Sequence, residues 1–391
     1  MRIDGAALER QLDELYAIGD RGLYDPAWAT AVDRVERWMK DVGLTTRRDA
    51  VGNLWGRAEG AEKGKSIVTG SHIDTVRNGG RLDGALGIVA GLTAVEALLR
   101  DKGKPRRTLE VVAICEEEGS RFATNFWGSR AITGSIDQVD ADIGQAMRER
   151  GLDPAKIPSA ARDDIDTFVE LHIEQGAVLE ASHRPLAVVT AIVGTAHLEV
   201  TVTGRPDHAG TTPMDMRRDA LAGAAAMVQA VESIARSLGK PAVATVGKLA
   251  ALPDQINVVP GKVVFIVDLR HADLGGRRAL EERIRSLCAT IAEERRLGLA
   301  IRMLQEKPPV AMHPEVRALL ARAAREAAVE ATEMVSGAGH DAQVLAARCK
   351  VGMLFVPSIG GRSHCPEEAT SPEHLALGTT VLAKALELLA Y

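Results

Sequence analysis

The chain has 391 residues, of which 46% are hydrophobic and 26% charged, and carries a net charge of −5. That length exceeds what one hydrophobic core organises, so two domains are expected, and the composition is that of a globular rather than a disordered protein. The acidic balance, with no basic stripe interleaved with aromatics, argues against nucleic acid as a partner, and no stretch approaches the roughly 20 apolar residues needed to span a bilayer.

In chain order, residues 1–40 read as helix, with apolar residues recurring at three- and four-residue steps. Mixed acids and bases in this segment fit an amphipathic helix rather than a secretion signal. The four cysteines, Cys115, Cys288, Cys349 and Cys365, form no CxxC pair or disulfide framework, so a reduced, cytoplasmic compartment is expected. "SIVTGSHIDTV" (66–76) and "TLEVVAICEEEG" (108–119) are apolar runs that end in polar residues, with helix "GALGIVAGLTAVEALLR" (84–100) between them. Strand, helix, strand marks a parallel α/β unit, whose ligands gather at the carboxyl ends of the strands.

Near residue 190 the pattern changes. "HLEVTVTGRPDHAG" (197–210) alternates apolar and polar residues, as a half-buried antiparallel strand does. Helix 219–239, two more alternating strands and helix 277–296 follow. This β-α-β-β-α segment is expected to form an inserted domain at 189–304, within a discontinuous α/β domain of residues 1–188 and 305–391. "VGMLFVPS" (351–358) reads as a further buried strand.

The residues able to hold a metal are His72, Asp74, Asp83, Glu117, Glu118, His172, Glu174 and His364, each at an expected strand end or in a glycine- or serine-rich loop. Singly, each has a plain structural reading: a hydrogen-bonded histidine, an Asp-Gly turn, a solvated acidic run. Their joint placement favours a site. Imidazole and carboxylate donors suit Zn²⁺, Mn²⁺, Co²⁺ or Ni²⁺. His72 and Asp74 are two apart, so on an extended segment Asp74 could fix the His72 tautomer. Two cations sharing a bridging carboxylate would explain how so many acids coexist, with one of Glu117 and Glu118 as ligand and the other as general base.

"GSHIDTVRNGGRLDGALG", "EEEGSRF", "ELHIEQG", "GRPDHAGTTPM", "NVVPG", "DLRH", "GAGHDA" and "VPSIGGRSHCPEE" occur in the order seen in the hydantoinase/carbamoylase amidases, and the chain resembles that family along essentially its whole length. These amidases belong to the co-catalytic metal aminoacylase/carboxypeptidase superfamily. The resemblance implies a mixed-sheet, metallo-exopeptidase-like catalytic domain with an inserted α+β, ferredoxin-like dimerisation lid, and hence a homodimer. It also implies two divalent metal ions per subunit, one held by His72, Asp83 and His172, the other by Asp83, Glu118 and His364. Glu117 would be the general base and Glu116 would have no catalytic role. His208 would stabilise the oxyanion in a neighbouring subunit, and Gln175, Asn257 and Arg270 would hold substrate. For Arg270, sequence pattern alone favours a strand-edge salt bridge. The implied reaction is hydrolysis of the carbamoyl C–N bond of N-carbamoyl-L-amino acids. Allantoate or another ureido acid is the nearest alternative, and an N-acyl amino acid deacylase, a peptidase or a non-catalytic relative stands further off.

Overall fold

The computed structural model describes residues 3–391. Residues 1 and 2 of the expected first helix therefore lie outside the described residues. The rest of that segment forms two helices, Gly5–Tyr16 and Pro26–Asp41. The break has a local cause. Gly19 takes φ +90°, and Asp25 caps the second helix by accepting the Trp28 N–H at 2.6 Å, with Pro26 at the first helical position.

The chain divides into two compact units, one running to Thr190 and resuming at Met312–Tyr391, the other Ala191–Ala311. The first is built on a mixed sheet. Its order is Thr45–Arg48, Leu54–Ala58, Leu109–Ile114, Ser66–His72, Ile165–Ile173, Lys350–Val356, Leu186–Ile192, and the last of these also pairs with Ala331–Ser336 and with the two-residue strand Val310–Ala311. The four strands from Leu109–Ile114 to Lys350–Val356 run parallel, and the flanking ones pair antiparallel. All seven residues of Ser66–His72 are buried, as expected for a strand covered on both faces. Helix Ala85–Lys102 supplies part of that cover, burying thirteen residues including Leu86, Ile88, Val89 and Leu92. At roughly 1.5–3 kcal/mol for each large apolar side chain buried, this central layer contributes substantially to stability.

The second unit is a four-stranded antiparallel sheet, ordered Gly298–Lys307, Gly194–Thr203, Lys262–His271, Val243–Leu252. Helices Ala220–Leu238 and Leu274–Glu294 pack on it. Alternation decides the packing: Leu198, Val200 and Val202 are fully buried, as are Val263, Phe265 and Val267, and they meet Met227, Leu280 and Ile284 from the helices. The fourth strand, Gly298–Lys307, completes this sheet by pairing with Gly194–Thr203, which carries the unit past the expected limit of 304. Among the described residues, no helix is long and apolar enough to cross a membrane.

Candidate metal centre

Four neighbouring parallel strands deliver their following loops to one edge of the sheet, as the topology of such sheets requires. His72 ends the strand Ser66–His72, and Asp83 lies in the loop before helix Ala85–Lys102. Glu116, Glu117 and Glu118 follow Leu109–Ile114, His172 is the penultimate residue of Ile165–Ile173, and His364 comes from the loop after Lys350–Val356. The exit of Leu109–Ile114 is pinned at Cys115, whose N–H donates to Asn53 Oδ1 at 2.8 Å and whose carbonyl accepts Trp28 Nε1–H at 2.8 Å. The glutamates thus leave from a fixed point.

Asp83 is the centre of the arrangement. Its Oδ1 lies 3.4 Å from His72 Nε2 and 3.1 Å from His172 Nε2. Its Oδ2 lies 3.1 Å from His364 Nε2, which in turn is 3.4 Å from Glu118 Oε1. Two donor sets result, His72–Asp83–His172 and Asp83–Glu118–His364, each with ligand atoms within 4.8 Å of one another. A third set, His72–Glu117–Glu118, puts Glu117 beside both. The ring nitrogens turned away are held: His72 Nδ1 faces Asp74 Oδ1 at 3.2 Å, and His172 Nδ1 faces the Ile173 carbonyl at 2.9 Å. A hydrogen bond at one ring nitrogen leaves the other free for a cation.

The electrostatics follow from burial. Asp83 is buried, which disfavours its charge, yet hydrogen bonds from His172, His364 and His72 hold its carboxyl well below the usual range. Burial opposes a charge on His72, but Asp74 and Asp83 outweigh it and raise that imidazole well above its ordinary value. His364, against Asp83, is pushed up to about 9. Burial drives Glu117 well up, and burial with the Asp83 charge drives Glu118 to about 7. Three imidazoles and three carboxylates, with no thiolate among them, fit borderline or hard divalent cations.

The three adjacent glutamates divide. Glu116 turns away from the histidines, and its carboxylate accepts the Trp127 N–H at 2.9 Å and the Gly119 N–H, closing its own loop. Glu117 and Glu118 face the histidines, and their N–H groups donate to Asp74 Oδ1 and Oδ2 at 3.0 and 3.2 Å. Glu174, one of the sequence candidates, is instead a cap, accepting the N–H groups of Val178 and Leu179 at 2.7 and 2.8 Å. Gln175 does reach the centre. Its side-chain amide donates to Asp83 Oδ2 at 2.8 Å, while its own carbonyl oxygen is buried without a partner.

In the layer beneath, sequence reasoning missed Glu170. Glu170 is fully buried and accepts the Ser71 hydroxyl at 2.6 Å, within reach of His172 and His340. His340 lies edge-on to His172 at 4.6 Å between centroids, and burial holds it well below the ordinary imidazole value. Burial and the Glu170 charge push Asp341 up to about 8. The signal for Glu170 was a single acid inside the apolar run "FVELHI", which demands a buried partner.

In the second unit, strand Asp207–His208 pairs with Val258–Val259, and the Ala209 N–H donates to the Asn257 carbonyl at 2.9 Å. His208 and Asn257 are both exposed. His208 Nδ1 accepts N–H groups from Gly210 and Thr211 at 3.0 and 3.2 Å, which assigns its proton to Nε2. Arg270 forks onto Asp268, at 3.0 and 2.9 Å, so the strand salt bridge is formed.

A parallel-sheet edge gathering imidazoles and carboxylates around one shared aspartate defines a metallohydrolase-type α/β protein. More specifically, the chain belongs to Peptidase family M20/M25/M40, whose model matches residues 68–388. It is 41% identical over 381 residues to an allantoate amidohydrolase of Escherichia coli, covering 95% of this chain and 93% of that one. It is 38% identical over 400 residues to an N-carbamoyl-L-amino-acid amidohydrolase of Paenarthrobacter aurescens, covering 98% and 97%. A crystal structure of a hydantoinase/carbamoylase family amidase from Burkholderia multivorans superposes with a TM-score of 0.94 at 34% identity, covering 100% of this chain and 98% of that one.

Proposed function

We propose that the chain is a metal-dependent amidohydrolase that cleaves the carbamoyl C–N bond of a ureido carboxylate. The observation that carries this reading is Asp83, whose two oxygens face different histidines. In the proposed centre His72, Asp83 and His172 hold one divalent cation, and Asp83, Glu118 and His364 a second. Bound there, Zn²⁺, Mn²⁺, Co²⁺ or Ni²⁺ supplies Lewis acidity and makes water a better nucleophile. Glu117 takes the proton from the attacking water and returns it to the leaving nitrogen. Gln175 orients the substrate's ureido group. For an N-carbamoyl-L-amino acid the products are the amino acid and carbamate, which falls apart to ammonia and carbon dioxide. Allantoate is the second reading, favoured by the higher identity to an allantoate amidohydrolase.

For the second unit we propose three roles. His208, with its proton on Nε2, donates to the developing oxyanion in a neighbouring subunit, while Asn257 and Arg270 grip the substrate. Arg270 would exchange Asp268 for a substrate carboxylate. The unit's edge strand, Val243–Leu252, exposes Val243, Leu249 and Leu252, and an apolar edge of this kind supports pairing of two copies into a homodimer. Mixed chains of His208→Ala and Glu117→Gln should regain part of the activity that each lacks. No recovery after demonstrated chain exchange would remove the cross-subunit role.

The substrate test is ammonia release by metal-reconstituted protein from several N-carbamoyl-L-amino acids, one D-isomer, allantoate and 3-ureidopropionate. Amine release from an N-acetyl amino acid and a dipeptide is scored beside it. The ureido acids should be hydrolysed and the last two not. Turnover confined to the last two would replace the reading with a deacylase or peptidase.

A further inference from the structure

Glu368 lies four positions beyond His364 and is 4% exposed. Its Oε1 accepts two backbone N–H groups 286 and 285 positions away, from Leu82 at 2.7 Å and Asp83 at 3.0 Å. Its Oε2 accepts the Ser363 hydroxyl at 2.7 Å, and the same hydroxyl stands 3.2 Å from Asp83 Oδ2. Room for this approach is made at Gly80, where a Cβ would fall 2.2 Å from the Glu368 carboxyl carbon and 2.4 Å from its Cβ. A buried carboxylate seated on a glycine thus joins the loop that carries Asp83 to the loop that carries His364.

We infer that Glu368 is a positioning residue, which with Ser363 fixes Asp83 between its histidine partners. The inference rests on the metal-centre reading above. Two effects act together. Accepting both the Leu82 and Asp83 N–H groups locks the backbone from which the Asp83 side chain projects. The second effect concerns one hydrogen. A serine hydroxyl has a single proton to donate, and here two carboxylates compete for it. The shorter contact takes it, so the Ser363 proton goes to Glu368, and Asp83 Oδ2, which already accepts the Gln175 amide at 2.8 Å, keeps its remaining lone pair open. Replacing Glu368 by glutamine reverses the direction, because the new amide donates to Ser363, whose proton must then turn onto Asp83 Oδ2.

The test is titration of the chelator-treated full-length chain with Co²⁺, followed by visible absorption and calorimetry. Wild type, Glu368→Gln, Ser363→Ala and the double variant are compared, with melting curves for each. Wild type should take up two equivalents. Glu368→Gln should weaken the second equivalent about tenfold or more, the usual cost of disturbing a group that orients a ligand. Ser363→Ala should weaken it less, and the double variant should recover part of the Glu368→Gln loss, because the misdirected proton is gone. Additive losses, or a loss that only follows lowered melting temperatures, would show a merely structural role and overturn the inference. Four folded proteins with equal Co²⁺ affinity would overturn it too, while leaving the metal centre intact. A wild-type chain that takes up no Co²⁺ would remove the metal centre and the inference with it.

Discussion

Asp74 Oδ1 accepts the Glu117 N–H at 3.0 Å while standing 3.2 Å from His72 Nδ1. One fully buried carboxylate therefore sets both a proposed ligand and the backbone of the proposed base. Asp74→Asn keeps the shape but turns one acceptor oxygen into a donor, so either the ring or a backbone N–H loses its partner. Metal affinity or kcat/KM should fall about 10- to 100-fold. Asp74→Ala should in addition lower stability by about 1–3 kcal/mol, through unsatisfied buried N–H groups. Metal titration and urea denaturation check the two effects separately.

Neighbouring glutamates should behave differently. Glu117→Gln should retain near-normal metal content and lose almost all turnover. Glu116→Gln keeps an oxygen for the Trp127 N–H and should retain turnover within a few-fold, at a stability cost of about 1 kcal/mol. Steady-state kinetics and metal analysis on both variants decide. Similar turnover in the two would contradict the division of the acidic run.

Gly84 opens helix Ala85–Lys102 with φ +68°, and a Cβ there would lie 2.4 Å from the His72 carbonyl oxygen and 2.5 Å from its ring. Gly84→Ala meets both a strained backbone and a clash that only movement of His72 relieves. Metal affinity should fall at least tenfold, with about 2 kcal/mol or more of stability. Unchanged Co²⁺ binding would show that His72 is not held where the structure places it.

Acid stability should show a contribution from Glu36, remote from the centre. Its carboxyl is held at about 2, against 4.5 for the free group, by Lys40 first, then by Arg48 and Thr46, with burial opposing. Because the folded value is depressed, the contribution is complete above pH 4.5 and fades as pH falls toward 2. Exposure of Lys40 and Arg48 screens the interaction, so about 1 kcal/mol is expected rather than the full shift. The stability gap between wild type and Glu36→Gln should close between pH 5 and 2 in urea titrations.

Much of the centre was legible because strand-end chemistry is local. "SHIDT", "EEEG" and "LHIEQG" each end a buried run, and the structure brings His72, Glu117, Glu118 and His172 to one edge. The division among Glu116, Glu117 and Glu118 came from the resemblance and not from local pattern, since three identical side chains differ only by the turn that Gly119 and Trp127 impose. Glu174 stood among the candidates as an acid at a strand end, but its carboxylate is taken up by the N–H groups that open the short helix after it. Glu170 and Glu368 act through partners far away in sequence, Ser71 and Leu82 among them, which no spacing rule predicts. In the first helical segment, Gly19 and the Asp25–Pro26 pair were visible stop and start signals that apolar periodicity overrode.

The most direct test of the central claim is the divalent metal content of wild type and Asp83→Ala, measured by elemental analysis after loading and exhaustive dialysis. The account predicts two equivalents per chain in wild type and loss of both in the variant, since one carboxylate serves both donor sets. A folded variant that keeps its full metal content, or a wild-type chain that holds none, would contradict it.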